Sequence, residues 1–426
     1  MDKRIYPLLP LSYRSSPPTS RCSALIFRLR RLGFAPATGR HELRILILLE
    51  TLTIGGAEIF GLRLANALAA RHEVMLAVMH GERVEPGLRA QLAPGIRFAS
   101  LRLPAKRNWH RLDTLLRRLG IDRSPQRAMQ RRWLLGLIRS FRPDAIHSHL
   151  LKADRLVADA REGAGHPVRH VLTMHGDYAP YLAGHADPQM IGVEQVASRI
   201  MGSADAIVAI CDEHRDFLLA RYPAVAPRLH QIRNGYVPSS RDDAPPLDTR
   251  EFRFGMLSRG VRLKGWEVAI AAFEKVGRPD TRLVLVGDGP FLDELRSRPQ
   301  PPGVEFRGAT TDPLSEIRRF DVALLPTLFP HESLPTVIIE YLVSGKPVIA
   351  TDVGAIREMI TAPDGSLAGR LLRRDGGQVS PDELARHMAE LLDDPGLRQA
   401  MQISAMAAAG KFDMATCMAA NERLYS

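Results

Sequence analysis

Residues 321–351, DVALLPTLFPHESLPTVIIEYLVSGKPVIAT, contain two short apolar runs that flank a segment of helical spacing. The runs VALLPT and PVIAT predict two buried strands. Pro335 favours a helix start, because proline is tolerated in the first helical turn, and TVIIEYLVSG continues that helix. A strand, a helix and a second strand in this order predict a βαβ unit of a parallel sheet.

The same alternation runs through the rest of the chain. In the first half, the strand LRILILLE, the glycine turn IGGAE, the helical segment IFGLRLANALAARH and the strand EVMLAVMH predict another βαβ unit. Further strands are predicted at residues 144–149, 169–176 and 205–211. Strand and helix patterns alternate again from FRFGMLS onward, so the second half is predicted to repeat the architecture of the first.

Two doubly wound α/β domains account for this alternation, one at residues 42–237 and one at residues 251–400. A polar, Pro-rich linker at 238–250 separates them. Residues 401–426 are expected to form a helical tail that packs back on the first domain. Residues 1–41 are rich in Arg, Ser and Pro, and this composition predicts a disordered basic extension.

Composition places the chain among globular proteins. It has 426 residues, of which 45% are hydrophobic and 25% are charged. No stretch reaches the roughly 18 apolar residues that a membrane-spanning helix needs, so a cytoplasmic protein is expected. The three cysteines form neither a disulfide framework nor a zinc-ligand spacing; they are Cys22, Cys211 and Cys417.

The net charge of +11 is concentrated in the extension and in residues 102–142. Residues 102–142 mix Arg with Leu and Trp, which predicts amphipathic helices that attach peripherally to an anionic membrane surface. A solvated basic face and a site for an anionic acceptor are the alternatives. Nucleic acid would fit the charge alone, but no nucleic-acid-binding module accompanies it, so no nucleic-acid partner is predicted.

Candidate binding residues follow the predicted strands of the second half. Ligands of doubly wound sheets bind at the carboxyl ends of the strands, which here means the cleft between the domains. The helix that starts near Pro335 leaves the amides of Thr336 and Val337 free to bind an anion. Arg259 and Lys264 follow an earlier strand and could neutralise a diphosphate, although a solvated basic loop is equally consistent with them.

Glu332 and Glu340 are two carboxylates in an otherwise apolar setting. Glu332 precedes the helix, and Glu340 lies about 7 Å further along it at about 1.5 Å per residue. That span is comparable to the span from a diphosphate to the ribose of one nucleotide. Carboxylates accept hydrogen bonds from vicinal hydroxyls, so Glu340 suits a ribose and Glu332 a sugar beyond the phosphates. The alternative for Glu340 is an exposed helix position.

These residues carry a family resemblance. HESLPTVIIEYLVSGKPVIATDVGAIREMI resembles the signature of the retaining glycosyltransferases of family 4, whose hallmark is two glutamates separated by seven residues. The resemblance covers roughly residues 43–410 and includes IGGAE, TMHG, RNGY, SRGVRLKG, LVGDGP and FRGATTD in the family's order. It implies the GT-B fold, in which two Rossmann-like domains face each other across a cleft.

The resemblance also implies roles for individual residues. The family's catalytic set maps onto Glu332, His175, Arg259 and Lys264. The donor diphosphate would be held by Arg259, Lys264, Pro335, Thr336, Val337, Gly55 and Gly56. Glu340 would bind the nucleotide ribose, Glu332 would contact the donor sugar, and His175 would lie near that sugar.

The implied reaction moves a sugar from a UDP-, GDP- or ADP-sugar to a hydroxyl of a saccharide or lipid-linked acceptor, with retention at the anomeric carbon. Bacterial cell-surface polysaccharide or lipopolysaccharide synthesis is the expected setting. No cofactor is expected, because charge on the leaving diphosphate would be met by Arg259, Lys264 and the helix amides. His147 and His149 could suggest a metal, but they have no evident third partner, so none is predicted.

Some positions depart from the family pattern. Leu334 and Pro335 replace the usual Phe-Gly, Ala355 replaces a glycine, and Tyr236-Val237 replaces Val-Asp, so no ligand role is assigned to Tyr236. Two other functions remain open. One is a catalytically silent nucleotide-sugar binding protein, and the other is a nucleotide-sugar epimerase of related fold. A nicotinamide dehydrogenase is disfavoured because IGGAE is not GxGxxG.

Overall fold

The computed structural model describes residues 43–102, 124–176, 193–237, 251–310, 312–330 and 332–426. The predicted extension, the predicted linker and residues 103–123 of the basic segment lie outside these ranges.

Fifteen strands lie in the described residues. They are β1 Arg44–Leu49, β2 Glu73–Val78, β3 Arg97–Ser100, β4 Ala145–His149, β5 Arg169–Met174, β6 Ala206–Ala209, β7 Leu229–Gln231, β8 Phe252–Leu257, β9 Thr281–Val286, β10 Val304–Gly308, β11 Val322–Leu325, β12 Val348–Thr351, β13 Gly369–Leu372, β14 Arg374–Asp375 and β15 Gln378–Val379. The first sheet has the order β3-β2-β1-β4-β5-β6-β7, and the second has the order β10-β9-β8-β11-β12-β13. Both are parallel throughout, and β14 and β15 form a small antiparallel hairpin.

Helices alternate with these strands. The α-helices are α1 Gly56–Leu68, α2 Pro86–Arg89, α3 Pro125–Phe141, α4 Leu151–Ala160, α5 Val193–Ser203, α6 Asp212–Arg221, α7 Trp266–Val276, α8 Pro290–Arg296, α9 Pro313–Arg318, α10 Thr336–Val343, α11 Ile356–Ile360, α12 Pro381–Asp393, α13 Pro395–Ala409 and α14 Met414–Glu422. Short 3₁₀ helices lie at Gly81–Arg83, Arg161–Gly163, Pro223–Arg228, Arg262–Lys264 and Gly410–Phe412.

Both faces of the first sheet are buried, as the continuous apolar run of β1 predicts. Ile45 and Ile47 pack on the face that carries α1. Leu46 and Leu48 pack on the opposite face against α3 and α4. A parallel sheet with helices on both faces has this pattern, so the predicted doubly wound architecture is confirmed. The sequence missed the three edge strands β3, β7 and β13 of the large sheets and the two-residue strands β14 and β15, none of which contains a long apolar run.

The glycine turn of the first domain is part of a helix. Gly55 is the N-cap of α1, and the helix begins at Gly56, three residues before the predicted start at Ile59. The sequence pattern counted both glycines as turn because glycine is a poor helix former. Glycine in the first helical turn costs little stability. The early start brings the N-terminus of α1 close to the carboxyl end of β1.

The chain returns to the first domain later than predicted. The expected boundary after residue 400 falls inside α13, whose Met401, Ala405 and Ala408 stay in the cores of the second domain. The crossing lies after α13, where the Tyr236 amide donates to the Phe412 carbonyl over 2.7 Å. The last helix, α14, then packs against α1 and the first sheet.

The described part of the basic segment forms α3. Its apolar residues Leu134, Ile138 and Phe141 are buried against the first sheet, whereas Arg131, Arg132 and Arg139 are exposed. The apolar face of this helix is therefore committed to the protein core. Among the described residues, no helix is both long enough and apolar enough to cross a bilayer.

The C-terminal segment packs against strand β4 of the first sheet. His147 of β4 places Nδ1 2.8 Å from the Tyr425 hydroxyl and Nε2 2.7 Å from Thr173 Oγ1. The residues His147, Thr173 and Tyr425 are all buried. The hydroxyl of the penultimate residue thus completes the hydrogen bonding of a histidine in the first sheet.

We expect Tyr425→Phe to lower the free energy of unfolding by about 1 to 3 kcal/mol, because it leaves a buried imidazole nitrogen without a partner. Urea unfolding followed by circular dichroism measures this. The exposed neighbour Arg423 supplies the control, and Arg423→Ala should change stability by no more than about 0.5 kcal/mol. Equal effects of the two substitutions would contradict the assignment.

Candidate active site

The loop after β8 carries both predicted diphosphate-binding cations. Arg259 is exposed, and its carbonyl accepts a hydrogen bond from Trp266 Nε1 over 3.1 Å. Lys264 ends a 3₁₀ turn and is followed by Gly265, which has a φ of 83°. A Cβ at Gly265 would lie 1.8 Å from the Pro326 carbonyl oxygen, so only glycine fits there. This close contact holds Lys264 next to the loop that follows β11.

Glu332 lies in that neighbouring loop and is 7% exposed. Lys264 Nζ donates to Glu332 Oε1, and Thr327 Oγ1 lies 3.0 Å from the same oxygen. Thr327 is completely buried. A buried carboxylate needs such partners, because an unpaired charge is costly to desolvate. The structure therefore brings one predicted cation and one predicted sugar-binding carboxylate into direct contact.

Helix α10 begins one residue later than the sequence suggested. Pro335 lies at the N-cap, not in the first turn, and the helix starts at Thr336. Proline fits the N-cap here because its φ of −63° is near its fixed value and its ψ of 117° is extended. The amides of Thr336 and Val337 have no acceptor among the described residues. They remain available to an anion at the helix start.

Helix α1 of the first domain faces this helix start. A Cβ added at Gly56 would lie 3.6 Å from Thr336 Oγ1, so the starts of the two helices approach closely here. Gly55 precedes Gly56 as the N-cap of α1. The N-termini of α1 and α10 thus meet across the cleft, and the partial positive charge of each favours an anion between them.

Glu340 lies deeper in the cleft and is 6% exposed. Two residues of the first domain approach its Oε1: the Tyr236 hydroxyl at 3.4 Å and an Arg63 guanidinium nitrogen at 4.0 Å. The Arg63 guanidinium also lies 4.3 Å from the centre of the Tyr236 ring. Burial raises the pKa of Glu340 to about 7, although Arg63 and the Tyr236 hydroxyl act in the opposite direction.

His175 follows β5 on the first-domain side of the cleft. Its Nε2 lies 2.8 Å from His149 Nδ1, and the ring centre of Phe60 lies 5.5 Å from its own. The rings of His149 and His147 are stacked with centres 4.5 Å apart. Three imidazoles therefore form a row from the core of the first sheet to the cleft.

The histidine row is held in the neutral state. Burial, reinforced by the neighbouring His175, lowers the pKa of His147 to about 3. Burial and the adjacent imidazole keep the pKa of both His149 and His175 well below the usual value. A neutral His175 can accept or donate a hydrogen bond at the cleft without adding charge.

No metal role is assigned to these histidines. Within the described ranges, no group of three or more His, Cys, Asp or Glu side chains is arranged to hold a metal ion. The ring nitrogens of His147 are taken by Thr173 and Tyr425, and Nδ1 of His149 is taken by His175. Cys211 and Cys417 are buried free thiols.

Comparison with known families matches one family model to each half of the chain. The family model described as "Glycosyl transferases group 1" matches residues 251–394, and the model described as "Glycosyl transferase 4-like domain" matches residues 55–235. These ranges contain most of both large sheets. The chain belongs to the group 1 glycosyl transferases.

Two curated relatives of this glycosyltransferase are named as synthases of carbohydrates. The chain is 28% identical over 256 residues to alpha-maltose-1-phosphate synthase of Mycolicibacterium smegmatis, covering 54% of this chain but only 65% of that synthase, a little under two thirds of its length. It is 25% identical over 398 residues to glycogen synthase of Mycobacterium tuberculosis, covering 88% of this chain and 91% of that enzyme.

Solved structures of other proteins share the fold of this glycosyltransferase. HepE from Anabaena, solved in complex with UDP and glucose, superposes with a TM-score of 0.68 at 20% identity, over 89% of this chain and 98% of that one. The likeness, together with the two parallel sheets, confirms the GT-B fold that the sequence resemblance implied.

Sequence reasoning missed several residues of this site. Tyr236 was assigned no ligand role, and Arg63 was read only as part of a helical pattern, yet both reach Glu340 from the other domain. Thr327 gave a weak signal, because it follows a buried strand by two residues. His214 and Ser333 form a buried hydrogen bond between the domains, which no local pattern indicates.

We expect the free energy of unfolding to fall as the pH is lowered from 6.5 towards about 3. Burial lowers the pKa of both His147 and His170 to about 3, so these groups bind protons readily only after unfolding. Each contributes a slope of up to about 1.4 kcal/mol per pH unit, and stability is greatest above the unfolded-state pKa. Urea unfolding at several pH values measures the slope.

The variant His147→Gln provides the comparison for this slope. It should reduce the pH dependence by about 1.4 kcal/mol per pH unit, whatever it does to stability at neutral pH. An unchanged slope would show that His147 is already able to take up a proton in the folded protein.

Proposed function

We propose that the protein is a retaining glycosyltransferase that moves a sugar from a nucleotide diphospho-sugar to a hydroxyl of a saccharide or lipid-linked acceptor. The observation that carries this proposal is the meeting of the N-termini of α1 and α10 beside the partly buried Lys264–Glu332 pair. The arrangement offers an anion site next to an acceptor of sugar hydroxyls.

The chain itself can stabilise the leaving group. As the sugar–phosphate bond breaks, negative charge grows on the diphosphate, and groups fixed before the reaction stabilise it most effectively. Lys264 is held by Glu332, and the amides of Thr336 and Val337 are fixed by their helix. Arg259 is exposed and has no ion-pair partner among the described residues, so it is available to the outer phosphate. We therefore propose that transfer needs no metal ion.

Glu332 is proposed to bind the donor sugar without attacking it. Its Oε1 already contacts Lys264 and Thr327, and accepted hydrogen bonds reduce the nucleophilicity of a carboxylate. Its second oxygen can accept a sugar hydroxyl. This supports a front-face route with retention, in which the acceptor hydroxyl attacks on the side that the diphosphate leaves. His175 lies on the first-domain side, where it can contact the donor sugar.

The donor is proposed to be a UDP-, GDP- or ADP-sugar. HepE, which has the same fold, was solved with UDP and with UDP-glucose, which supports UDP-sugars as the first donors to test. The name of the glycogen synthase relative favours a role in polysaccharide synthesis, and lipopolysaccharide synthesis stays a prediction. Membrane attachment through residues 102–142 stays a prediction. Because α3 buries its apolar face, its part in such attachment would be through its exposed arginines.

A donor panel tests the proposal. Purified protein is incubated with UDP-, GDP- and ADP-sugars, with and without saccharide acceptors, and released nucleotide and glycosylated product are measured. We expect acceptor-dependent release with one donor class and retention of anomeric configuration by NMR. Lys264→Ala should lower turnover at least about 100-fold, the scale of a lost preorganised charge contact.

Other outcomes of the panel favour the alternatives. Conversion of the donor sugar without an acceptor would indicate an epimerase. Nucleotide binding by calorimetry without turnover, across the whole panel, would indicate a catalytically silent binding protein. Dependence of transfer on an added divalent cation would contradict the proposed role of the chain's own cations.

We expect nucleotide affinity to increase with pH through about 7, because the ionised Glu340 carboxylate is the form that accepts two ribose hydroxyls. Affinity should fall about tenfold between roughly one pH unit above this pKa and one below it. Glu340→Ala should weaken nucleotide binding by about 1 to 3 kcal/mol. Isothermal calorimetry with the nucleoside diphosphate measures both effects.

Glu340→Gln is the control for titration of the nucleotide itself. It keeps the shape of the side chain but cannot ionise, so the part of the pH dependence that belongs to Glu340 should disappear. An identical pH profile in wild type and Glu340→Gln, or unchanged affinity in Glu340→Ala, would refute the ribose assignment.

A further inference from the structure

His214 joins two segments that the proposed function places on opposite sides of the donor sugar. It lies in the first turn of α6 and is 1% exposed. Its Nδ1 lies 3.0 Å from the Met174 carbonyl oxygen, and its Nε2 lies 2.9 Å from Ser333 Oγ. Met174 directly precedes His175, and Ser333 directly follows Glu332.

The chemistry of the two contacts gives them a direction. A carbonyl oxygen only accepts, so Nδ1 carries the hydrogen and donates to Met174. In the neutral ring Nε2 is then an acceptor, and the Ser333 hydroxyl donates to it. The imidazole therefore forms one hydrogen bond within its own domain and one to the other domain, and both are shielded from water.

Helix α6 docks closely on the loop of Glu332. The neighbouring Gly354 has a φ of 55°, and a Cβ there would lie 1.6 Å from the Glu332 carbonyl and 3.4 Å from Glu213 Oε2. The Ser333 carbonyl accepts a hydrogen bond from the Ala355 amide over 3.1 Å. The start of α6 is thus packed against the two loops that would surround the donor sugar.

We infer that His214 is a positioning residue that sets the distance between His175 and Glu332 when the two domains enclose the donor. The inference rests on the proposed function for the roles of His175 and Glu332. The link itself, from the Met174 carbonyl through the imidazole to Ser333, does not depend on that function. Catalytic geometry is sensitive to displacements of about 1 Å, so a link of this kind affects turnover more than binding.

A second group of polar contacts between the domains is centred on Glu358, away from the loop of Glu332. Glu358 of the second domain accepts hydrogen bonds from Arg233 and from the Asp212 amide. These contacts contribute to holding the domains together, but they touch neither His175 nor Glu332. The His214–Ser333 hydrogen bond, in contrast, joins the residue next to Glu332 to the residue that holds the Met174 carbonyl, and so bears directly on the spacing of the two groups.

Ser333→Ala and His214→Asn remove this hydrogen bond from its two ends. The shorter asparagine can still donate to Met174 but cannot reach Ser333. We expect each variant to lower kcat for sugar transfer about tenfold, with the Kd for the nucleoside diphosphate within about threefold of wild type. The double variant should be no slower than either single variant, because both remove the same bond.

Ser404→Ala is the matched control. Ser404 is 7% exposed, compared with 8% for Ser333, and its hydroxyl lies 2.7 Å from Ser366 Oγ inside the second domain. The control deletes a similarly buried hydroxyl without touching the cleft. It should leave kcat unchanged, even if it lowers the melting temperature by as much as Ser333→Ala does.

Hydrogen–deuterium exchange with the nucleoside diphosphate bound tests the link without any need for turnover. Ser333→Ala should raise amide exchange both near residues 332–336 and in the first domain near 171–176 and 212–218. Ser404→Ala should raise it in neither first-domain segment. If wild type transfers no sugar from any donor, the proposed function fails, while this measurement still decides whether His214 couples the segments.

Three results would overturn the inference. The first is exchange that rises only near residues 332–336. The second is additive loss of kcat in the double variant. The third is an equal loss of kcat in Ser404→Ala, which would show that any buried hydroxyl deletion has the same effect.

Discussion

Parallel pairing of the strands is the constraint on which the rest of this structure depends. All strands of a parallel sheet end at the same edge, so the loops after β8 and β11 must lie side by side. That neighbourhood brings Lys264 to Glu332, although 68 residues separate them along the chain. The first sheet does the same for the strand ends that carry His149 and His175.

Burial gives these groups their chemistry. In water, Glu340 would be an ordinary carboxylate, but enclosed between the domains its pKa is raised to about 7. The same loss of solvent keeps the histidine row neutral. Lys264 and Glu332 remain paired because neither charge is stable alone in the cleft. A site that is already desolvated and paired needs little reorganisation when charge develops on a leaving diphosphate.

Contacts between distant parts of the chain hold the residues of the candidate site in position. The C-terminal segment crosses after α13, and Tyr425 completes the hydrogen bonding of His147, whose ring stacks on His149. His149 in turn contacts His175 at the cleft. On the other side, α6 docks on the loop of Glu332 through His214. The residues nearest the proposed donor therefore depend on segments from the middle and the end of the chain.

The sequence by itself determined the doubly wound class, the strand ends and the two glutamates at a helix start, because apolar periodicity and helix-start residues are local signals. It missed the one-residue shift of Pro335 to the N-cap and the early start of α1, since boundaries depend on contacts that periodicity does not contain. Only the tertiary structure decided that Arg63, Tyr236 and His214 reach the other domain. Those contacts join residues more than 100 positions apart, and nothing in the local pattern of either partner specifies them.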